Sequence, residues 1–405
     1  MLIYLREIIN ISKGSRYFIL SESLLGIAIG IYSLVFNLHL LEIGLTEVEI
    51  GEILSIGALV MGIFSIPAAL SANRYGRKKL LILGIGLLAV GYAGIGIGVD
   101  YFTFFVSQII ASIGITLLIT SEIQLLYSYC ISRKEETLVF SLLFSTFTLF
   151  TGIGILLGGV LPKVIGGRTT IYQSSILLAA FLILIIAIVR GFLLPKENIS
   201  WVKPMNSFNI KNFINRFSSR TLWLFSIYTF FIGMAFSFLN PYYNIIIKFR
   251  FNWSDIEVSS LLAVTGIFLF LGSFFLPMLI ERMELKKLYF FVYLVNIALS
   301  VLLFFTIPVT LFIFLFLIRG GSFTMLSNLI DSQSMQAIKE EERNLFAGMR
   351  SVSRSVGSAI ASYIAAFILA SKNFSLPFLL TGIVLIISYL FFLKYIYPEL
   401  KEKDI

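Results

Sequence analysis

Apolar runs follow one another along almost the whole chain, broken by short knots of Gly, Pro and charge. Each is near the roughly 20 residues that a helix needs to cross a hydrocarbon core. The pattern predicts twelve spans. The first six are Tyr17–Leu41, Val48–Ala72, Lys79–Val99, Tyr101–Cys130, Leu138–Pro162 and Ile171–Leu194. The second six are Thr221–Ile247, Val258–Ile280, Lys287–Ile307, Val309–Ala337, Leu345–Ala370 and Leu376–Tyr397. Pro195–Arg220 is the one long polar connection and reads as a linker, with an interfacial helix expected around Phe208–Phe217. Met1–Arg16 mixes apolar and charged residues without a small-residue cleavage site, which predicts an interfacial helix and not a signal peptide.

The polar knots repeat. Thr46-Glu47-Val48-Glu49-Ile50 returns 208 residues later as Ser254-Asp255-Ile256-Glu257-Val258. At the same offset Lys78-Lys79-Leu80 returns as Lys286-Lys287-Leu288, and Glu281-Arg282 takes the place of Asn73-Arg74. One offset at both ends of a span requires equal helix lengths as well as similar flanks, so the chain reads as two related halves. The expected fold is an all-α polytopic membrane protein of twelve transmembrane helices in two pseudo-symmetric six-helix bundles. Residues 1–194 form the first bundle, 195–220 the linker and 221–405 the second. Parallel repeats of this kind mark transporters whose halves rock about a central site.

Ala69-Leu-Ser-Ala-Asn-Arg-Tyr-Gly-Arg-Lys-Lys79 resembles the loop between spans 2 and 3 of the major facilitator superfamily, Gly-x-x-x-Asp-Arg-x-Gly-Arg-Lys. Ala69 replaces the glycine and Asn73 the aspartate, while Arg74, Gly76, Arg77 and Lys78 match. The resemblance implies alternating access, a cavity lined by spans 1, 4, 7 and 10, and a gating role for this loop and its copy. Gly154-Ile-Leu-Leu-Gly-Gly159 in span 5 is similar to the Gly-Pro-x-x-Gly-Gly element of the superfamily's antiporters, with Ile155 at the proline position. Close helix packing explains the same glycines equally well.

Composition excludes other classes. Of 405 residues 58% are hydrophobic and 13% charged, with 40 Phe and a mean hydropathy of +0.95, which leaves no room for a soluble domain. The net charge of +9 does not point to nucleic acid, because most Lys and Arg flank alternate span ends. That placement predicts both termini on the cytoplasmic side of the cell membrane, with anionic lipid headgroups as partners for Arg190, Lys196, Lys203, Lys211, Arg216 and Arg220. One Cys (Cys130) and one His (His39) exclude a disulfide framework and a Cys/His metal cluster. His39 reads as a packing residue near the headgroups. No phosphate-binding loop and no catalytic constellation is present, so the chain reads as a cofactor-free transporter driven by a gradient and not as an enzyme. A monomer is expected, with a small-molecule substrate and a proton as one coupling ion that fits.

Polar residues inside spans carry the functional expectations, because a charge at mid-bilayer costs at least ~2.5–3.5 kcal/mol unless it meets protein, water or a counter-charge. Span 4 carries Gln108, Ser112, Thr116, Thr120 and Gln124 at intervals of four, a slowly winding stripe read as a wet wall or as helix–helix hydrogen bonding. Span 10 bears Arg319, about 15 Å in from Val309 at ~1.5 Å per residue, with Phe323, Ser327 and Asp331 on the same face. Span 11 adds Arg350 and Arg354. The acids available to these arginines are Glu22, Glu122 and Asp331. Asp331 with Arg350 is the expected pair, either a structural salt bridge or a gate. Arg319 and Arg354 have no acid expected at their own height.

Span 7 carries Asn240-Pro-Tyr-Tyr-Asn244, where proline permits a kink beside polar groups, and Asn37 stands near it in depth. The expected substrate site therefore comprises Asn37, Gln108, Ser112, Thr116, Asn240, Tyr243, Asn244, Arg319 and Arg354. The expected gate comprises Asn73, Arg74, Gly76, Arg77, Glu122, Glu281, Arg282, Asp331 and Arg350, with Glu22 and Asp331 as ion-coupling groups. Three functions fit: an ion-coupled exporter of small, largely apolar compounds, a permease importing an organic anion or polar metabolite, and a non-transporting scaffold or lipid-handling protein.

Overall fold

The computed structural model describes residues 11–197, 219–339 and 342–401. Residues 1–10 and the segment Phe208–Phe217, where interfacial helices are expected, lie outside these. Twelve helices are long and apolar enough to span a membrane: Lys13–Ile43, Glu47–Ala72, Arg77–Ile97, Tyr101–Ser128, Glu135–Ile165, Gln173–Leu193, Arg220–Phe251, Asp255–Arg282, Leu285–Phe304, Val309–Ala337, Leu345–Ala370 and Leu376–Leu400. They are spans 1 to 12 below. Lys13–Arg16, expected in an interfacial helix, instead opens span 1.

Local chemistry starts and stops these helices. Both copies of the repeated acidic knot form a reciprocal cap: Thr46 N–H donates to Glu49 Oε2 at 2.8 Å while Glu49 N–H donates to Thr46 Oγ1, and Ser254 and Glu257 do the same. The motif recurs because a span starting at that register needs its free N–H groups covered. Gly76 adopts φ 90° between spans 2 and 3, a left-handed conformation open to glycine at little cost. Span 7 breaks where proline stands: helix Arg220–Ser237 gives way to a 3₁₀ turn, Asn240–Tyr242, and then to helix Tyr243–Phe251.

Two compact units emerge, one of residues 1–44 and 63–206, the other of 45–62 and 207–405. Within the first, span 1 packs on spans 5 and 6, and span 3 on spans 4 and 6; within the second, span 7 packs on spans 11 and 12, and span 9 on spans 10 and 12. Equivalent pairs thus recur at the repeat offset. Glycine permits the tightest crossings. A Cβ on Gly30 would lie 2.2 Å from the Thr151 carbonyl oxygen of span 5, and one on Gly357 of span 11 would lie 2.2 Å from the Phe230 carbonyl oxygen of span 7. Span 5's Gly154 likewise lies against the backbone of Ile27, so this glycine serves close packing. Many large apolar side chains point outward, among them Leu83, Val90, Phe274 and Phe275, as a protein solvated by lipid requires.

Candidate functional site

Each unit carries a charge cluster, the first built around the N-terminal third of span 1 and the second toward the C-terminal end of span 10. In the first unit the centre is Arg190 of span 6, completely buried. Its Nε donates to Ser21 Oγ at 2.9 Å, one terminal nitrogen donates to Glu22 Oε2, and the other lies 3.6 Å from Glu122 Oε1. The Phe18 ring covers the guanidinium at 4.4 Å. Spans 1, 4 and 6 are therefore tied through one cation and two carboxylates. Arg190 is where sequence reading went wrong: four residues from the end of its run, it was grouped with the basic flank facing lipid headgroups. The signal that points to it is Glu22 and Glu122, two acids inside spans that need a counter-charge at their own height.

In the second unit Asp331 of span 10 is the centre. Arg350 lies 3.2 Å from Asp331 Oδ1, the expected pair, and Arg354 makes a two-pronged contact with both oxygens at 2.9 and 3.2 Å. The expectation that Arg354 lacks an acid is thus corrected. One helical turn separates the two arginines, so both reach the same carboxylate. These side chains are one-quarter to one-third exposed.

Arg319, by contrast, is 2% exposed and meets no carboxylate among the described residues. Its Nε donates to Ser300 Oγ of span 9 at 3.1 Å and Nη1 to the Tyr243 hydroxyl at 2.7 Å, with the Phe323 ring 5.6 Å away. Tyr243 opens the second helix of span 7 and meets Phe316 edge to face. Asn244 is buried and accepts from Ile245 N–H, whereas Asn240 is exposed.

The stripe on span 4 divides. Ser112 and Thr116 are buried, and Thr116 and Thr120 donate to the carbonyls four residues earlier. Gln108 accepts from the Tyr32 hydroxyl at 3.4 Å, and Tyr32 stacks on Tyr92. Asn37 is buried on span 1. His39, expected at headgroup level, is fully buried between Thr170 Oγ1 (2.6 Å) and the Ile95 carbonyl (3.2 Å), so its packing role joins three parts of the first unit.

The motif loop and its copy also differ. Arg77 binds Glu197 through its backbone N–H (2.7 Å) and side chain (3.4 Å), and Lys78 Nζ donates to the Leu194 carbonyl. Arg74 is exposed over Tyr75; of Asn73 the backbone alone is described. In the copy, Glu281 and Arg282 are exposed, and Lys286 lies over the Tyr397 ring at 5.3 Å. Both loops thus hold the end of their half's last span by a lysine.

The chain matches the Major Facilitator Superfamily family model over residues 18–332 and 225–404. No curated protein matches its sequence. Among solved structures, the chain is similar to a bacterial homologue of the human lysosomal transporter Spinster, inward-facing and occupied (TM-score 0.76, 12% identity, covering 94% of this chain and 95% of that one). It is also similar to the nucleoside transporter NupG (0.77, 11%, 94% and 99%) and to a bacterial homologue of the iron transporter ferroportin, inward-facing (0.72, 15%, 94% and 98%). At such identities these likenesses establish fold alone. With the family match running through both halves and twelve spans in place, the chain belongs to the Major Facilitator Superfamily of secondary transporters.

Proposed function

We propose that the chain is a proton-coupled exporter of small, largely apolar organic solutes in the cell membrane. It works by alternating access of the halves 1–194 and 221–405, with both termini and the loops at Arg74–Lys79 and Glu281–Lys287 on the cytoplasmic side. The observation that carries this reading is the Glu22–Arg190–Glu122 cluster. One guanidinium neutralises one carboxylate, and a second carboxylate beside them, 14% exposed, either carries a proton or leaves a charge uncompensated. Glu22 holds the direct hydrogen bond, while Glu122 Oε1 stands 3.6 Å off in an ion pair without a hydrogen bond, so Glu122 is the proton carrier. When it binds a proton, Arg190 is left to Glu22 alone; when it releases the proton, span 4 regains its hold on span 6.

The substrate class follows from what the arginines do. Arg354 is committed to Asp331, which supports an apolar solute over a multiply charged one, and the relatives' cargoes differ so widely that the fold makes no choice. Arg319 favours a second reading, a carrier of organic anions. With protein in proteoliposomes and a pH indicator enclosed, added solute should dissipate an imposed pH gradient. Glu122→Gln should abolish that proton movement while leaving solute exchange intact. Proton-driven transport persisting in Glu122→Gln overturns the assignment of the carrier, and wild-type solute movement indifferent to the gradient overturns proton coupling.

A further inference from the structure

Arg319 is a cation whose protein partners do not complete it. A guanidinium has five N–H donors. Ser300 Oγ and the Tyr243 hydroxyl take two, and the remaining three, spread over the two terminal nitrogens, have no partner among the described residues. Both partners are neutral hydroxyls. The neighbouring groups are rings: Phe323 beside the guanidinium, Phe316 against Tyr243, and Phe236 against Phe323. A charge 98% withdrawn from solvent in a membrane span without a counter-ion is costly to retain. Asp331, twelve residues further along the same helix and so about 18 Å away, is held by Arg350 and Arg354.

From this we infer that Arg319 binds the carboxylate of an amphiphilic organic monoanion whose aromatic or alkyl body lies among Phe316, Phe323 and Phe236. A planar carboxylate takes two parallel N–H···O bonds from a guanidinium fork, a match that a hydroxyl or an amine cannot make. Tyr243 then has a second function. It stands just after the break at Pro241, so an anion that competes for the Arg319 donors loosens the hold of span 10 on the second helix of span 7. This inference rests on the transporter reading and narrows its solute class from apolar compounds to apolar compounds with one carboxylate.

The experiment uses the full-length protein in nanodiscs of zwitterionic lipid and three probes with the same body: 4-phenylbutyrate, 4-phenylbutanol and 4-phenylbutylamine. Ligand-dependent thermal stabilisation gives an apparent Kd for each. Wild type should bind the carboxylate about tenfold or more tighter than the alcohol and should exclude the amine. Arg319→Gln should raise the carboxylate Kd about ten- to a hundredfold and leave the alcohol unchanged, while Tyr243→Phe, which keeps the cation, should change it less than tenfold. Equal binding of carboxylate and alcohol by the wild type overturns the inference without any variant, as does carboxylate binding that survives in Arg319→Gln. If the alcohol binds and is moved against a gradient while the carboxylate is ignored, the exporter reading stands and this inference falls. If the carboxylate binds through Arg319 but a pH gradient never drives it, the inference stands and proton coupling falls.

Discussion

The two charge clusters occupy corresponding ends of their units, yet they are built with opposite excess. The first unit sets two carboxylates around one buried guanidinium; the second sets two guanidiniums around one carboxylate, part-open to solvent. The clusters share only the span 4/span 10 place, the first being carried by spans 1, 4 and 6 and the second by 10 and 11. Helix pairs such as 1 with 5 and 7 with 11, by contrast, recur at the repeat offset, each with a glycine crossing, and so do the acidic caps. Duplication therefore preserved what packing and capping demand and left the charges free to diverge. The excess in each cluster sets its chemistry: a spare carboxylate can take up a proton, whereas a spare guanidinium can hold only an anion or water.

The largest expected difference lies in what each cluster does for stability. Arg190→Met leaves Glu22, 2% exposed, and Glu122, 14% exposed, without their counter-charge, and breaking a buried pair in this way costs about 3–5 kcal/mol. Thermal unfolding in detergent should show the loss, and Arg190→Met combined with Glu22→Gln and Glu122→Gln should recover most of it, because the neutralised trio leaves no orphan charge. If the single substitution leaves unfolding unchanged, or the triple variant is no better than the single, the cluster is not the buried ion pair described.

The glycine crossings provide the control for symmetry. A methyl on Gly30 or Gly357 would sit 2.2 Å from a backbone carbonyl oxygen of the partner span, and backbone cannot swing aside as a side chain can. Gly30→Ala and Gly357→Ala should each lose about 1–3 kcal/mol through overpacking, and by similar amounts. A loss confined to one half would break the argument that packing is the conserved part of the repeat.

Sequence patterning made the spans legible because lipid admits only helices of fixed apolar length. The caps were legible as repeated residues although their hydrogen bonds were not. The break in span 7 could be read from Pro241, and the Asp331–Arg350 pair from shared depth. Arg190 and Arg354 were misread for one reason: depth along a helix says nothing about azimuth. Arg354 lies one turn beyond Arg350 and reaches the same acid. Arg190 lies close to a span end, where a lysine or arginine ordinarily snorkels to the headgroups, but it faces inward among spans 1, 4 and 6.

A smaller effect separates the members of the second cluster. Its side chains are part-exposed, so Asp331→Asn should cost about 1–2 kcal/mol, between the values for surface and buried pairs. Arg350→Gln should cost less than about 1 kcal/mol, since Arg354 keeps both oxygens of Asp331. A double-mutant cycle between positions 331 and 350, and another between 331 and 354, should therefore give the larger coupling to Arg354. The reverse order would make Arg350 the structural partner and return Arg354 to the anion-binding candidates.

The smallest expected effect concerns reactivity, and it serves the topology on which the cytoplasmic assignment rests. Cys130 follows the end of span 4, half-buried with Sγ 3.8 Å from Ser15 Oγ, and burial pushes its thiol up to about 11. Thiolate is the reactive form, so maleimide labelling of the wild type should be slow at neutral pH and rise about tenfold per pH unit until the pH nears that value. Of cysteines placed at Ser71, part-buried in the last turn of span 2, and at Glu284, 73% exposed in the loop of the second half, the second has no such restraint from burial. Labelling of Glu284→Cys by an impermeant reagent should be fast, that of Ser71→Cys slower, and both should exceed the native background from one face of the membrane only. Opposite sidedness of the two positions would end the correspondence of the loops, and rapid labelling of Cys130 at pH 7 would remove the contrast between the closed end of the first unit and the open loop of the second.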